Sequence, residues 1–302
     1  MSCLCDCCCT CVAVFVAVMW ALLKFRVLPV PLMKVWFGLT TIFFICMTGM
    51  GCFFIDLLRF AGLPRLTTQK LCLRWLNWMF FAIIVLNPQI RIHIADEDKK
   101  RWAAIPPRSA VIMNHTSFWD TIQFAGLAPW SYFNGCRTLM KDSLHKLPIF
   151  GGICKRIGHF PVYFKSDEDG NFSVDKERQA VVMERVAKHI QQNGGIGLFP
   201  EGAVNKEPRT LKMFRQGSFQ VVLDHKLPLY YFVAVGNDDT WHSKAPIGGK
   251  PADIWIKIGE YKIDHNKAPE AREIAAGSQE MMQKVVDELF QKRDAKRGKK
   301  SQ

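Results

Sequence analysis

The stretch AVIMNHTSFWD, residues 110–120, decides how the rest of the chain is read. Four apolar residues, Ala110 to Met113, run straight into a polar cluster of Asn114, His115, Thr116, Ser117 and Asp120. A short apolar run closed by polar residues predicts a buried strand. Ser117 and Asp120 stand at the Ser-x-x-Asp spacing of a capping box, which predicts a helix start. The box accounts for those two residues and leaves His115 unexplained. On a regular helix, five positions separate two side chains by roughly 140°. His115 and Asp120 can meet only if the first lies in the turn and the second in the first helical turn. An imidazole held by a carboxylate makes a general base, because the carboxylate fixes the tautomer and stabilises the imidazolium.

Outward from this stretch, short apolar runs alternate with longer amphipathic ones. AVIM (110–113), FPVYF (160–164), IGLF (196–199) and LYYFVAV (229–235) read as strands. Residues 175–193 read as a helix with Val181, Val182, Val186 and Ile190 on one face, ended by Gly194 and Gly195. Residues 214–226 and a basic C-terminal segment read as further helices. Strands alternating with helices predict an α/β sandwich.

The first ninety residues differ in kind. Residues 35–55 form 21 positions without a charge. At about 1.5 Å per residue they would cover the roughly 30 Å of a bilayer core. Residues 11–23 are apolar but shorter, and residues 75–88 read as a helix lying in the interface, with Trp75 and Trp78 at headgroup level. The expected organisation is N-terminal membrane-anchoring helices over 1–90, a catalytic domain over 91–269, and a C-terminal helix and basic tail over 270–302.

The formal charge is +13, from 40 Lys and Arg against 27 Asp and Glu, and 49% of residues are hydrophobic. That balance excludes a disordered chain and attracts polyanions. No zinc-finger spacing or RNP-like motif points to nucleic acid, so a membrane partner is expected instead. Six of eleven cysteines fall in the first eleven residues: Cys3, Cys5, Cys7, Cys8, Cys9 and Cys11. Such crowding suits neither a disulfide framework nor separate ligands of one metal ion, and reversible palmitoylation is expected. Lys299 and Lys300, fourth and third from the end, resemble a dilysine retrieval signal. This predicts an endoplasmic-reticulum membrane protein whose catalytic domain faces the cytosol. Asn171, in an N-x-S acceptor pattern, is then expected to carry no glycan.

A second polar cluster follows a predicted strand in LFPEGAVNKEPRTLKMFRQG, residues 198–217. Glu201 and Gly202 stand in the turn, and Lys206, Arg209, Lys212 and Arg215 place four cations within ten residues. Beside the first cluster, they predict an anion site.

These blocks resemble those of the glycerolipid acyltransferase family, which includes the 1-acylglycerol-3-phosphate acyltransferases. NHTSFWD is similar to the family's N-H-x4-D block and FPEG to its third block. Between them, Lys141, Leu144, Pro148, Gly151 and Gly158 fall at positions of the second block. FRQG (214–217) matches the stretch after the third block, and KLPLYYF, with Pro228, the fourth. The resemblance spans about residues 90–260. It departs at two places: Phe164 and Val204 stand where the family has arginines taken to contact the lipid phosphate.

The resemblance implies an α/β fold, a mixed sheet flanked by helices, behind N-terminal membrane helices. It implies transfer of an acyl chain from acyl-CoA, as co-substrate, to the sn-2 hydroxyl of 1-acylglycerol-3-phosphate, with no further cofactor and no metal. His115 would be the base and Asp120 its orienting partner. Asn114, Lys141, Lys165, Glu201, Gly202, Lys206, Arg209 and Arg215 would bind substrate, with backbone N–H groups near Gly202 or Asn114 holding the oxyanion. Other acceptors (lysophosphatidylcholine, lysocardiolipin, glycerol-3-phosphate) stay open. So do a hydrolase, disfavoured by the lack of G-x-S-x-G, and a non-catalytic scaffold, disfavoured by the intact His115–Asp120 pair.

Overall fold

The structure is a computed structural model describing residues 2–166 and 172–298, with side chains over 10–165 and 174–296. Asn171, Lys299 and Lys300 lie outside the described residues, as do the side chains of Cys3, Cys5, Cys7, Cys8 and Cys9.

Three helices come first: α1 (Ser2–Lys24), α2 (Val30–Leu57) and α3 (Arg65–Leu86). They lead to β1 (Ile90–Ile94), α4 (Asp96–Ala103), β2 (Ala110–Met113), α5 (Trp119–Leu127) and α6 (Trp130–Phe133). Then follow β3 (Cys136–Lys141), α7 (Phe150–Ile157), β4 (Phe160–Val162), β5 (Phe164–Ser166) and β6 (Phe172–Val174). The chain continues through α8 (Lys176–Gln191), β7 (Gly195–Leu198), α9 (Gln216–Asp224) and β8 (Leu229–Val235). It closes with α10 (Asn237–Thr240), β9 (Ala252–Tyr261) and α11 (Ala271–Gly298).

Seven strands make one mixed sheet in the order β1-β9-β8-β2-β7-β3-β4. β8, β2, β7, β3 and β4 run parallel, while β9 pairs antiparallel to β8 and carries β1 parallel to itself. Strands this central are covered on both faces, so they read as continuous apolar runs. β2 shows the alternation. Val111 and Met113 enter one core with residues of α3 and α5, whereas Ala110 and Ile112 enter the other, with α8, α9 and α11.

α2 and α3 form an antiparallel hairpin, turned at Gly62 with φ +89°. Trp36 Nε1 donates to Leu86 O and Trp75 Nε1 to Met47 O, at 2.8 and 2.9 Å. By length and composition both helices could cross a bilayer. The structure thereby lengthens the helix read over residues 75–88. The helix begins ten residues earlier, after Pro64, and Trp75 is turned into the hairpin. Two smaller corrections follow from packing. FPVYF is not one strand: Phe160–Val162 joins the main sheet, and Phe164 starts a separate antiparallel pair with β6. On α8, Val182, Val186 and Ile190 are buried but Val181 is exposed.

Candidate active site

The parallel strands β2 and β7 end side by side, and the turns that follow them build the site. His115 lies in the turn after β2, and Asp120 is the second residue of α5. His115 Nδ1 meets Asp120 Oδ2 at 2.9 Å. The same Oδ2 accepts the backbone N–H groups of Thr116 and Ser117, at 2.7 and 2.9 Å. The bond from Ser117 N is the returning half of the expected capping box; the other half does not form, because Phe118 stands at the N-cap position and Ser117 Oγ accepts from Trp119 N instead of Asp120 N. One carboxylate oxygen therefore serves both the imidazole and the turn ahead of α5. Ser117 Oγ accepts from Trp119 N and donates to Trp241 O, which fixes the turn to the α10 end. Asp120 Oδ1 accepts from Asn237 Nδ2 at 2.6 Å.

With Nδ1 as the proton donor to Asp120, His115 Nε2 is left as the acceptor. The imidazole stacks on Phe199, their centroids 4.3 Å apart. The Phe199 face holds the ring in plane while the carboxylate holds its tautomer.

Glu201 is buried and turned inward. Its Oε1 accepts His115 N at 2.9 Å, and its Oε2 accepts Asn205 Nδ2 and Lys212 N at 2.8 and 3.0 Å. Burial raises its pKa, against these hydrogen bonds, which lower it. Asn205 N in turn donates to His115 O at 2.6 Å. The FPEG turn thus clamps the His115 backbone from both sides. Gly202 takes φ +72°, and a Cβ there would collide with the Arg215 guanidinium.

The structure separates the remaining predicted site residues. Asn114 exchanges both side-chain bonds with Ala234 of β8, at 2.8 and 2.9 Å, and so ties strands together. Lys165 pairs with Asp175 at 3.2 Å. Arg209 pairs with Asp294 on α11 at 2.7 Å and lies over the Phe290 ring. Lys141 and Lys206 are exposed. Of the four clustered cations, Arg215 lies against Gly202 with its guanidinium 6.0 Å from the centroid of the Phe164 ring, and Lys212 Nζ donates to Val204 O at 3.0 Å. Arg215 thus lies beside Phe164, one of the two positions where the resemblance expects an arginine. The N–H groups expected to hold an oxyanion are engaged otherwise: His115, Thr116 and Ser117 as above, and Gly202 with Phe199 O. Among the described residues no cluster of three metal-ligating side chains occurs.

Sequence reasoning did not single out Phe199 or Asn237. Asn237 had a usable signal, since VGNDD again places polar residues directly after an apolar strand.

Residues 97–234 match the family model described as Acyltransferase. That match covers the middle of the chain and takes in both the NHTSFWD and the FPEG turns. A crystal structure of the 1-acyl-sn-glycerophosphate (LPA) acyltransferase PlsC from Thermotoga maritima shares the fold, with a TM-score of 0.61. Identity is 14%, and the match covers 89% of this chain and 98% of that one. No curated protein matches the sequence.

Proposed function

We propose that the protein transfers an acyl chain from acyl-CoA to the sn-2 hydroxyl of 1-acylglycerol-3-phosphate, giving phosphatidic acid, at a membrane surface. The observation that carries this reading is the His115–Asp120 contact at 2.9 Å, which leaves Nε2 as a proton acceptor. His115 Nε2 takes the hydroxyl proton as the acceptor oxygen attacks the thioester carbonyl. The C–S bond then breaks, and the imidazolium returns the proton to the departing thiolate of CoA. Asp120 holds the imidazolium throughout. Arg215, beside Gly202 and Phe164, is the cation best placed for the acceptor phosphate. The α2–α3 hairpin would keep the site at the interface where both acyl chains partition.

A second reading has its own support. Phe164 and Val204 replace two expected arginines, which favours an acceptor with a different head group, such as lysophosphatidylcholine. A panel of lysolipids assayed with one acyl-CoA and purified protein decides between them. Acylation of lysophosphatidate over lysophosphatidylcholine is expected, and the reverse preference rejects the first reading. His115→Ala should lower turnover by about 10²–10⁴-fold; near-wild-type turnover would remove the catalytic assignment altogether.

The same proposal places the protein in the endoplasmic-reticulum membrane with the site facing the cytosol, where acyl-CoA is available. The N-terminal cysteines, of which Cys11 is exposed, would be palmitoylated. A glycosidase-sensitive glycan on Asn171, or a C-terminal tag protected from protease in sealed microsomes, would overturn that orientation. Absence of a hydroxylamine-sensitive acyl label would overturn the palmitoylation.

A further inference from the structure

Where the α2–α3 turn meets the C-terminal end of α7, a cavity of about 240 Å³ is lined by Asp56, Arg59, Arg65, Gln69, Lys155 and Arg156. Four cations thus face one carboxylate. Asp56 is already shared between Arg59 Nη1 at 3.5 Å and Arg156 Nε at 3.8 Å. The longer of these is beyond hydrogen-bonding range, and Arg156 Nε is buried without a hydrogen-bond partner. Arg65 and Lys155 enter no ion pair among the described residues.

Behind Gln69 lies a second unbalanced charge. Arg137 is 2% exposed and donates to Cys136 O at 3.1 Å and Gln69 Oε1 at 3.4 Å, with no carboxylate partner. Burial draws its pKa down to about 10, so it stays charged at neutral pH. Gly158, at φ +84°, permits this stack: a Cβ there would press on Gln69 Nε2 and Arg137 Nε, at 2.7 and 3.0 Å. A buried charge without a counterion is costly, and an anion in the cavity would offset the cost.

The cavity is remote from the dyad. Arg137 is level with Ile196, and Ile196 with Ala110, in strands that all run parallel. Ala110 lies three residues before the end of β2, a rise of about 10 Å, and His115 is two residues further on in the turn. The rim is apolar and open: Phe60 is 91% exposed, and Phe54, Leu57 and Leu58 are exposed beside it.

We infer that this cavity binds the phosphate group of an anionic phospholipid, as a site separate from the two substrates of the transfer reaction. A free phosphate ion would satisfy the same cations. The exposed Phe60 and its neighbours favour a phosphate attached to acyl chains, because they would sit among those chains while the cations meet the head group.

The test uses the purified full-length protein in neutral detergent, with thermal melting read against added phosphatidylglycerol, phosphatidylcholine or inorganic phosphate. Phosphatidylglycerol should raise the melting temperature, and the other two should not. R65Q/K155Q should lose the shift, R65K/K155R should retain it, and K284Q/K292Q, on the exposed face of α11, should retain it too. Should the first double variant fail to fold, the exposed Lys155→Gln alone should weaken phosphatidylglycerol binding by about fivefold. An equal shift with inorganic phosphate would overturn the lipid assignment. An equal loss in K284Q/K292Q, or a retained shift in R65Q/K155Q, would overturn the site.

Discussion

Asn237 donates its side-chain amide to Asp120 Oδ1 at 2.6 Å, leaving the other carboxylate oxygen to His115 and the two turn N–H groups. The same amide nitrogen also meets Gln123 Oε1 at 2.8 Å, so Asn237 fixes the carboxylate's plane relative to α5. Asn237 touches no reacting atom and acts through Asp120. A hydrogen bond to a charged group is worth about 1.5–3 kcal/mol. Asn237→Leu should therefore lower kcat by roughly ten- to a hundredfold, leaving both KM values near their starting point and altering the pH profile of kcat. Steady-state kinetics with an unchanged kcat and pH profile would remove Asn237 from this role.

Glu201 accepts through both oxygens and donates through neither. Glu201→Gln would turn an NH2 group toward backbone or amide donors. It should cost about 1–3 kcal/mol of stability, the usual toll of a buried polar group left unmatched. Because the residue clamps His115 N and the loop rather than the acceptor, kcat should fall while the acceptor KM stays. A raised acceptor KM with normal kcat and melting temperature would instead make Glu201 a substrate contact.

Arg209 and Arg215, six positions apart, should behave differently. Arg209 is occupied by Asp294 and Phe290 of α11, whereas Arg215 lies against the FPEG turn. Arg215→Ala should raise the acceptor KM about tenfold or more, in keeping with loss of a charge-assisted bond to phosphate. Arg209→Ala should change kcat/KM little. Equal effects on kcat/KM would show that the loop works as a diffuse basic patch.

The fold should weaken in mild acid. Burial, reinforced by the Arg137 charge, lowers the pKa of His159 to about 3 and that of His189 to about 4. Both are neutral in the folded chain, while unfolded histidine takes a proton near pH 6.5. Their stabilising contribution is full above about pH 6.5 and is lost as pH falls from there toward 4. Each histidine removes on the order of 1.4 kcal/mol per pH unit across that window. Melting temperatures at pH 7.5 and 5.5 measure this, and identical values would refute it.

Much of the site could be read before the structure because its residues follow strands that are apolar on both faces. AVIM, IGLF and LYYFVAV are such strands, and their ends mark where polar residues become functional. β9 alternates buried and partly exposed positions at Ile254, Trp255, Ile256 and Lys257, so its signal is weaker. Its pairing with β1, 158 positions away or more, has no local trace in the sequence. The cations of 206–215 read as one cluster because spacing cannot say which neighbour each would meet. That was decided by α11, whose Gln279 and Gln283 accept from Phe214 N and Leu211 N and so strap the loop in one orientation.

Phe37, from the first half of α2, is fully buried against Trp119 and Trp241, with centroids 5.7 and 5.4 Å away. Trp119 precedes Asp120, and the Trp241 carbonyl holds Ser117. The hairpin is thus a wall of the His115 turn as well as a candidate anchor. Trimming the chain at residue 90 to gain solubility would strip a ring from both tryptophans and slacken the turn that carries His115. For protein engineers, the greasy half and the working half come as one piece.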